Sequence, residues 1–364
     1  MKIISSLNEI IFDIDKNFFI MYANIKENKR DVRKMEPEVY NQSTFIILKA
    51  AYLYYLKEKS QNEIAEVLNI SVPTVSRLIK KAKEEKIVEF VIRDPYLECI
   101  DLEEKLKKEF NLKDVVIAPN EITGTANVDT AENTKKLVAL EGARYLQRII
   151  TEDDVLGISW GQTMYYLIQY LNPCQKVNGK FVTMHGSISG LKPEFDVRTL
   201  VARTSMVFGG KNYSLLAEAL LSNPEIAASI KNEKYVKQVY EMFDKITISI
   251  CGMGSFYPQL DSLLCKSKYL TEEEISNLQK HNVVGDIVLR FFDKDGKECD
   301  TDFKDRTIAI ELEQFKRIKT KISVVSDVVK THTTLAALKG GFVDVLITDY
   351  NLGKSILQMN EAIA

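Results

Sequence analysis

The sequence predicts an α/β protein in which an N-terminal helix-turn-helix domain precedes a doubly wound, Rossmann-like domain. Three observations predict it. Residues Ser60 to Lys86 read as two short helices joined by a tight turn. From Val115 onward, short β-branched runs alternate with amphipathic stretches, the pattern of a largely parallel sheet covered on both faces. The length of 364 residues exceeds one typical domain.

Composition narrows the class. Lys plus Arg (49) against Asp plus Glu (51) leaves a formal net charge of −2, so any affinity for nucleic acid has to be local. Cys99, Cys174, Cys251, Cys265 and Cys299 are scattered and never in Cys-x-x-Cys spacing, which points to reduced thiols, no structural metal and a cytoplasmic protein. No apolar run approaches the roughly 20 residues of a membrane span, and Asp13, Asp15 and Lys16 interrupt any signal-like segment. A membrane partner is therefore not expected.

Residues 1–42 form an extension whose structure stays open between a strand pair about Asp15-Lys16-Asn17 and an arm without regular structure. Phe45 to Lys57 reads as a helix with Ala51, Tyr52, Tyr55 and Leu56 facing the helix pair. Ser60 with Glu63 is a capping box that starts the next helix, whose inner face is Ile64, Ala65 and Leu68. Asn69-Ile70-Ser71 makes the turn and supplies a second N-cap. In the following helix Val75, Leu78, Ile79 and Ala82 form the apolar stripe. Opposite that stripe, Ser71, Pro73, Thr74 and Ser76 are placed for phosphate or base edges, and Arg77 for a guanine fork. Lys80 and Lys81 suit backbone charge, and Gln61 completes the candidate DNA-binding set. The same spacing also describes an ordinary helical hairpin; capping box, turn length and hydroxyl-then-cation order favour the DNA reader. A short strand is expected over Ile87 to Ile92, and Asp94-Pro95 closes the 43–95 domain.

The remaining 96–364 form the second domain. Leu102, Leu106 and Phe110 make a seam along a charged linker helix, for the core or for a second subunit. Strands are expected at Val115–Ala118, Val155–Ser159, Phe181–Met184, Ile246–Ile250, Ile287–Phe292, Ile322–Val325 and Val343–Thr348. Asn223-Pro224 and the box Thr271 with Glu274 announce helix starts, and Asp295-Gly296 a turn.

Ligands of open parallel sheets sit beyond the carboxyl ends of strands, so residues just after each strand are informative. Gly161-Gln162-Thr163 opens a helix directly after a strand, as a phosphate cradle or as a plain strand-to-helix turn. Gly252-Met253-Gly254 fails as a dinucleotide fingerprint because Tyr257 holds the third glycine position. His185 after Phe181–Met184, Asp286 just before Ile287 and Lys330 after the strand ending at Val325 occupy comparable positions. There Asp286 suits sugar hydroxyls and Lys330 a phosphate, the division of labour of a phosphorylated polyol. With three histidines, no P-loop and no nucleophile triad, neither a catalytic set nor a cofactor or metal site is expected.

The chain resembles the SorC-type sugar-responsive transcriptional regulators of bacteria, from about Thr44 to the carboxyl end. The resemblance is carried by SVPTVSRLIKKA (71–82), GISWGQT (157–163), NVVGDIVLRFFDKDG (282–296) and ALKGGFVDVLITD (337–349). It implies an effector domain of the NagB/RpiA type that senses a phosphorylated sugar without catalysis, operator DNA as partner, and a homodimer or homotetramer. It also implies effector contacts at Gly161, Gln162, Thr163, His185, Asp286 and Lys330, with Asp196 a further one. The chain departs from the family where Val325-Ser326-Asp327 replaces Ala-Gly-Gly, which puts an added carboxylate beside the expected phosphate site. It departs again at Gln162, where the family has Arg, and at His185, where Arg or Lys stands in some members. Histidine chemistry excludes a Schiff base at position 185. A sugar-phosphate isomerase with an appended helical domain is the alternative, and a ligand-free scaffold a third reading.

Overall fold

The computed structural model describes residues 42–88, 96–119, 130–173, 176–190 and 192–363. They fall into two compact units divided near residue 91. The expectations for residues 1–41, for the end of the strand at 89–92 and for Asp94-Pro95 lie outside the described residues.

Among its described residues the first unit holds three helices: α1 (Gln42–Tyr55), α2 (Gln61–Leu68) and α3 (Val72–Glu84). The capping box at the start of α2 is present, with the Ser60 amide donating to Glu63 Oε2 (2.8 Å) and the Glu63 amide to Ser60 Oγ (3.3 Å). Asn69, in the left-handed region at φ 50°, turns the chain, and Ser71 caps α3. Ile64, Ala65, Val75 and Ile79 bury against Ala50 of α1, with Leu68 and Leu78 at the margin. On α1, Ala51 and Tyr55 face the helix pair as expected, joined by Ile47 and Ala50, whereas Tyr52 and Leu56 point outward. Beyond α3 the amides of Ile87 and Val88 return to the Ala82 carbonyl as a helix-terminating turn, not as a strand.

The second unit begins with α4 (Tyr96–Glu109), β1 (Asp114–Ala118) and α5 (Thr130–Ile149), then β2 (Val155–Ile158), α6 (Gln162–Gln169) and β3 (Gly179–Thr183). Next come α7 (Val197–Phe208), β4 (Gly210–Tyr213), α8 (Pro224–Lys231), α9 (Lys234–Phe243), β5 (Ile248–Cys251), β6 (Gly254–Ser255), α10 (Leu263–Lys266) and α11 (Glu272–Lys280). The rest is β7 (Gly285–Ile287), β8 (Arg290–Phe292), α12 (Phe303–Arg306), α13 (Leu312–Lys316), β9 (Thr320–Val324), α14 (Thr331–Lys339), β10 (Val345–Asp349) and α15 (Tyr350–Ile363).

Seven strands form one sheet in the order β1-β10-β9-β5-β2-β3-β4, all parallel. Neighbouring residues of one strand enter opposite cores, as the two-residue period requires. Phe181 and Ile347 pack with α5, α6 and α7, while Val182 and Leu346 pack with α8, α9, α14 and α15. Leu102 and Leu106 of the linker helix also enter the second core, beside Leu352 and Ile356 of α15, so the seam packs within its own unit. The short strands β4 and β6 carry no apolar run and were not expected.

A second, antiparallel sheet, β6-β7-β8, stands beside the first. The strand expected over Ile287 to Phe292 is in fact a hairpin that reverses at Val288 (φ 48°) and Leu289 (φ 65°). Left-handed backbone at such side chains is strained, and without Gly or Asn the turn gives no sequence signal. Register places Gly254 opposite Asp286. A Cβ at 254 would lie 2.2 Å from Asp286 Oδ1 and 2.8 Å from Ser262 Oγ, so only glycine lets these groups converge. Gly254→Ala is expected to lower unfolding free energy by about 1 to 3 kcal/mol through overpacking, read as an earlier midpoint in chemical denaturation.

Candidate functional site

The sheet's winding reverses between β2 and β5. From β2 the chain moves outward through β3 to β4, and from β5 it moves the other way through β9 to β10. Helices that leave neighbouring strands in opposite directions open a crevice at such a point, where ligands bind. A cavity lies there, lined after β2 by Ser159 to Thr163, after β5 by Gly252 to Gly254, and after β9 by Lys330. Its volume of about 110 Å³ suits a small molecule rather than a dinucleotide.

Gly161 is the N-cap of α6 at φ 115°, a conformation that side chains rarely adopt, and it has no side chain with which to cap the helix. Its own amide donates to the Phe195 carbonyl (3.3 Å). The amides that follow, at Gln162 and Thr163, belong to the helix's first turn, where intrahelical acceptors do not exist. The positive end of α6 thus opens on the cavity and suits an anion.

Three lysines share this cavity, Lys135 from α5, Lys266 from α10, and Lys330 ahead of α14. Lys135 donates to Gln162 Oε1 (2.8 Å), and Lys330 to the Met253 carbonyl (2.7 Å). Burial and the nearby Lys330 hold the Lys135 ammonium below its ordinary pKa. Asp261 pairs with Lys266 and lies 3.5 Å from Lys330. Burial by itself would raise the Asp261 carboxyl, but Lys330, Lys266 and Lys135 together keep it below the usual carboxylate range. Asp286 behaves otherwise. Burial pushes it up to about 7, against the opposing pull of Lys330 and a hydrogen bond with the Leu289 backbone.

Of the candidate effector residues, Gly161, Gln162, Thr163, Asp286 and Lys330 line the cavity, and His185 and Asp196 do not. His185 is fully buried behind Ser159. Its Nδ1 lies 2.7 Å from the Gly186 carbonyl, which can only accept, so Nδ1 carries the proton. Nε2 therefore accepts from Ser159 Oγ at 3.1 Å, and burial pushes the ring down to about 4, leaving it neutral. Asp196 caps α7, its carboxylate accepting from the Arg198 amide at 3.0 Å. Asp327 is also off the cavity wall: at φ 86° it caps the short turn before Lys330 and accepts from the Val329 amide. Sequence reasoning missed Lys135, Asp261, Ser262 and Lys266, which follow no strand of the main sheet. Their sequence signal is faint, a lysine in a charged helix and a polar loop after a failed glycine motif.

In the helix-turn-helix unit, Ser71, Pro73, Ser76, Arg77, Lys80 and Lys81 are exposed, with Gln61 and Thr74 partly so. Ser71 Oγ lies 2.8 Å from Thr74 Oγ1, and Arg77 reaches back to Thr74 at 3.4 Å. Lys80 and Lys81 form exposed pairs with Glu84 and Glu85, contacts of little energetic weight that leave the ammonium groups available. Among the described residues no helix is long and apolar enough to cross a membrane, and no cluster of His, Cys, Asp and Glu could hold a metal ion. Cys99, Cys251, Cys265 and Cys299 are free thiols.

A helix-turn-helix joined to a parallel α/β unit with a cation-lined crevice defines a ligand-sensing regulator class. Comparisons with known proteins agree. Residues 94–358 match the family described as "Putative sugar-binding domain", and residues 49–85 match sigma-70 region 4. The deoxyribonucleoside regulator of Bacillus subtilis is 31% identical over 316 residues, covering 85% of this chain and 96% of that protein. The sorbitol operon regulator of Klebsiella pneumoniae is 29% identical over 317 residues, covering 86% of this chain and 98% of its own length. The crystal structure of the latter at full length superposes with a TM-score of 0.66 over 86% of this chain and 98% of that chain, at 28% identity. The chain belongs to the SorC family of sugar-binding transcriptional regulators.

The Asp286 carboxyl makes stability pH-dependent. Its folded pKa of about 7 exceeds the unfolded value of about 3.9, so the folded state binds the extra proton between these limits and loses stability as pH rises through them. Asp286→Asn removes that proton uptake. The variant's melting temperature relative to wild type is therefore expected to climb from pH 4 to pH 7 and then level off.

Proposed function

We propose that the chain is a cytoplasmic, homo-oligomeric regulator, dimer or tetramer, whose affinity for operator DNA is set by a phosphorylated sugar in the β2/β5 cavity. The observation that carries this reading is the meeting of three lysines with the open first turn of α6, an arrangement matched to a phosphate dianion. Asp286, beside them and near neutrality, suits a sugar hydroxyl as donor or acceptor. The names of the relatives support the class: they are regulators of a sorbitol operon and of deoxyribonucleosides. In the other unit, α3 is the reading helix, with Ser71, Pro73, Thr74, Ser76, Arg77, Lys80 and Lys81 as contacts and Gln61 alongside.

An isomerase reading draws on one observation, that a carboxyl with a pKa of about 7 could serve as a general base. It lacks a relay. His185, the buried histidine of this region, is committed to Ser159 and Gly186. Turnover of sugar phosphates by the purified chain would reinstate an enzyme. Binding by mass action, read as a thermal shift in a screen of phosphorylated and free sugars, would identify the effector.

A ligand alters operator affinity only by favouring one arrangement of the reading heads. Lys330→Ala and Thr163→Val are accordingly expected to abolish the change in operator affinity caused by the effector while leaving ligand-free binding intact. Retention of the wild-type response by both variants would place the effector elsewhere. Arg77→Ala is expected to weaken specific binding by about 1 to 3 kcal/mol if the guanidinium reads a base. Lys80→Ala, at a phosphate contact, should instead flatten the slope of log affinity against log salt by about 0.9 with sequence preference unchanged. Both are measured by titrating a selected operator at several salt concentrations.

A further inference from the structure

The lysines of the cavity are already engaged by the chain's own acceptors. Lys135 is on Gln162 and Lys330 on the Met253 carbonyl, and Asp261 stands between Lys330 (3.5 Å) and Lys266. Both Asp261 and Lys330 are mostly buried, their side chains 21% and 15% exposed. A carboxylate in that place is unexpected for a cavity that would take an anion, because it occupies the ammonium groups the anion needs.

The backbone puts it there deliberately. Asp261 pairs with Ser255, its amide donating to the Ser255 carbonyl at 2.8 Å, which closes the loop 256–260 and aims the carboxylate at the cavity. Ser262 then caps α10, and Lys266 falls in that helix's last turn, so anion and cation sit on one short segment at the rim. Lys330 comes from the turn beyond β9, which packs against β6. The segment is thus tied to that turn by one carboxylate between two lysines. A phosphoryl group resting on Lys330 and the α6 amides would place a second anion against Asp261, and like charges sharing one cation repel.

We propose that Asp261 is a built-in anion that an incoming phosphoryl group must displace from Lys330 and Lys266, and that it thereby holds down the cavity's affinity for phosphate. A dianion competes with a single carboxylate for these lysines, whereas a neutral sugar offers them nothing in exchange. Asp261 sets the affinity of the site in this scheme, and the inference rests on the phosphate reading of the cavity given above.

The test uses the full-length chain and inorganic phosphate as probe, titrated calorimetrically at pH 7.5 and constant ionic strength into wild type, Asp261→Asn, Asp261→Ser and Lys330→Ala. Two Asp261 variants guard against a folding defect in either. Both are expected to bind phosphate roughly tenfold more tightly than wild type, the order that follows from removing one close like charge, and Lys330→Ala to lose binding. Phosphate binding by the Asp261 variants alone, with wild type silent, supports the competition as well. Equal or weaker binding by both Asp261 variants, with wild type binding and Lys330→Ala silent, overturns the built-in anion and leaves the effector site standing. Absence of binding in wild type and every variant overturns both.

Discussion

Because every strand of the main sheet is parallel to its neighbours, each connection has to cross over the sheet and lay a helix on one face. The chain winds outward from β2 in one direction and from β5 in the other. That reversal leaves the carboxyl ends of β2 and β5 side by side with no helix crossing between them, and everything that could bind a ligand is gathered around this gap. Register fixes its depth: Ile158 pairs with Ile250, so Ser159 and Gly252 leave the sheet at nearly the same level. The glycines there serve the opening, Gly161 by its backbone angle and Gly254 by its missing Cβ.

The antiparallel sheet supplies the remaining wall, and it is held by an unusual buried cation. Arg290, 1% exposed, donates to the carbonyls of Ile310, Ala309 and Lys304 and pairs with Glu311 at 2.8 Å. A buried guanidinium is tolerable only when its donors are met this fully. It ties β8 to residues 304–311, and the Val288-Leu289 reversal just before it gives Asp286 its backbone donor. Asp286 is kept near neutrality by burial, while Asp261, closer to the lysines and more solvated, stays ionised. Two carboxyls in one cavity are thereby separated in role by their surroundings.

The sequence by itself determined the order and class of the elements. The capping box at Ser60 and Glu63, the stripe Val75, Ile79 and Ala82, and the apolar runs of β1, β2, β3, β5, β9 and β10 are local signals, and each is found in place. Strand-end reasoning also located Gly161 to Thr163 and Lys330 on one cavity, because a parallel sheet brings its carboxyl ends together whatever the order of its strands, whereas Asp286 reaches it from within β7 of the antiparallel sheet. Other features were decided only by the tertiary structure. The Val288-Leu289 hairpin requires left-handed backbone at residues whose chemistry does not ask for it, and both side chains are buried in the packed unit. His185 holds a strand-end position like the others but is drawn inward by Ser159 and the Gly186 carbonyl. Lys135 and Asp261 reach the site from a helix and a loop whose sequence carries no binding motif. Their meeting depends on contacts between separate segments, Lys135 with Gln162 27 residues on and Asp261 with Lys330 from beyond β9, and local periodicity holds no information about such contacts.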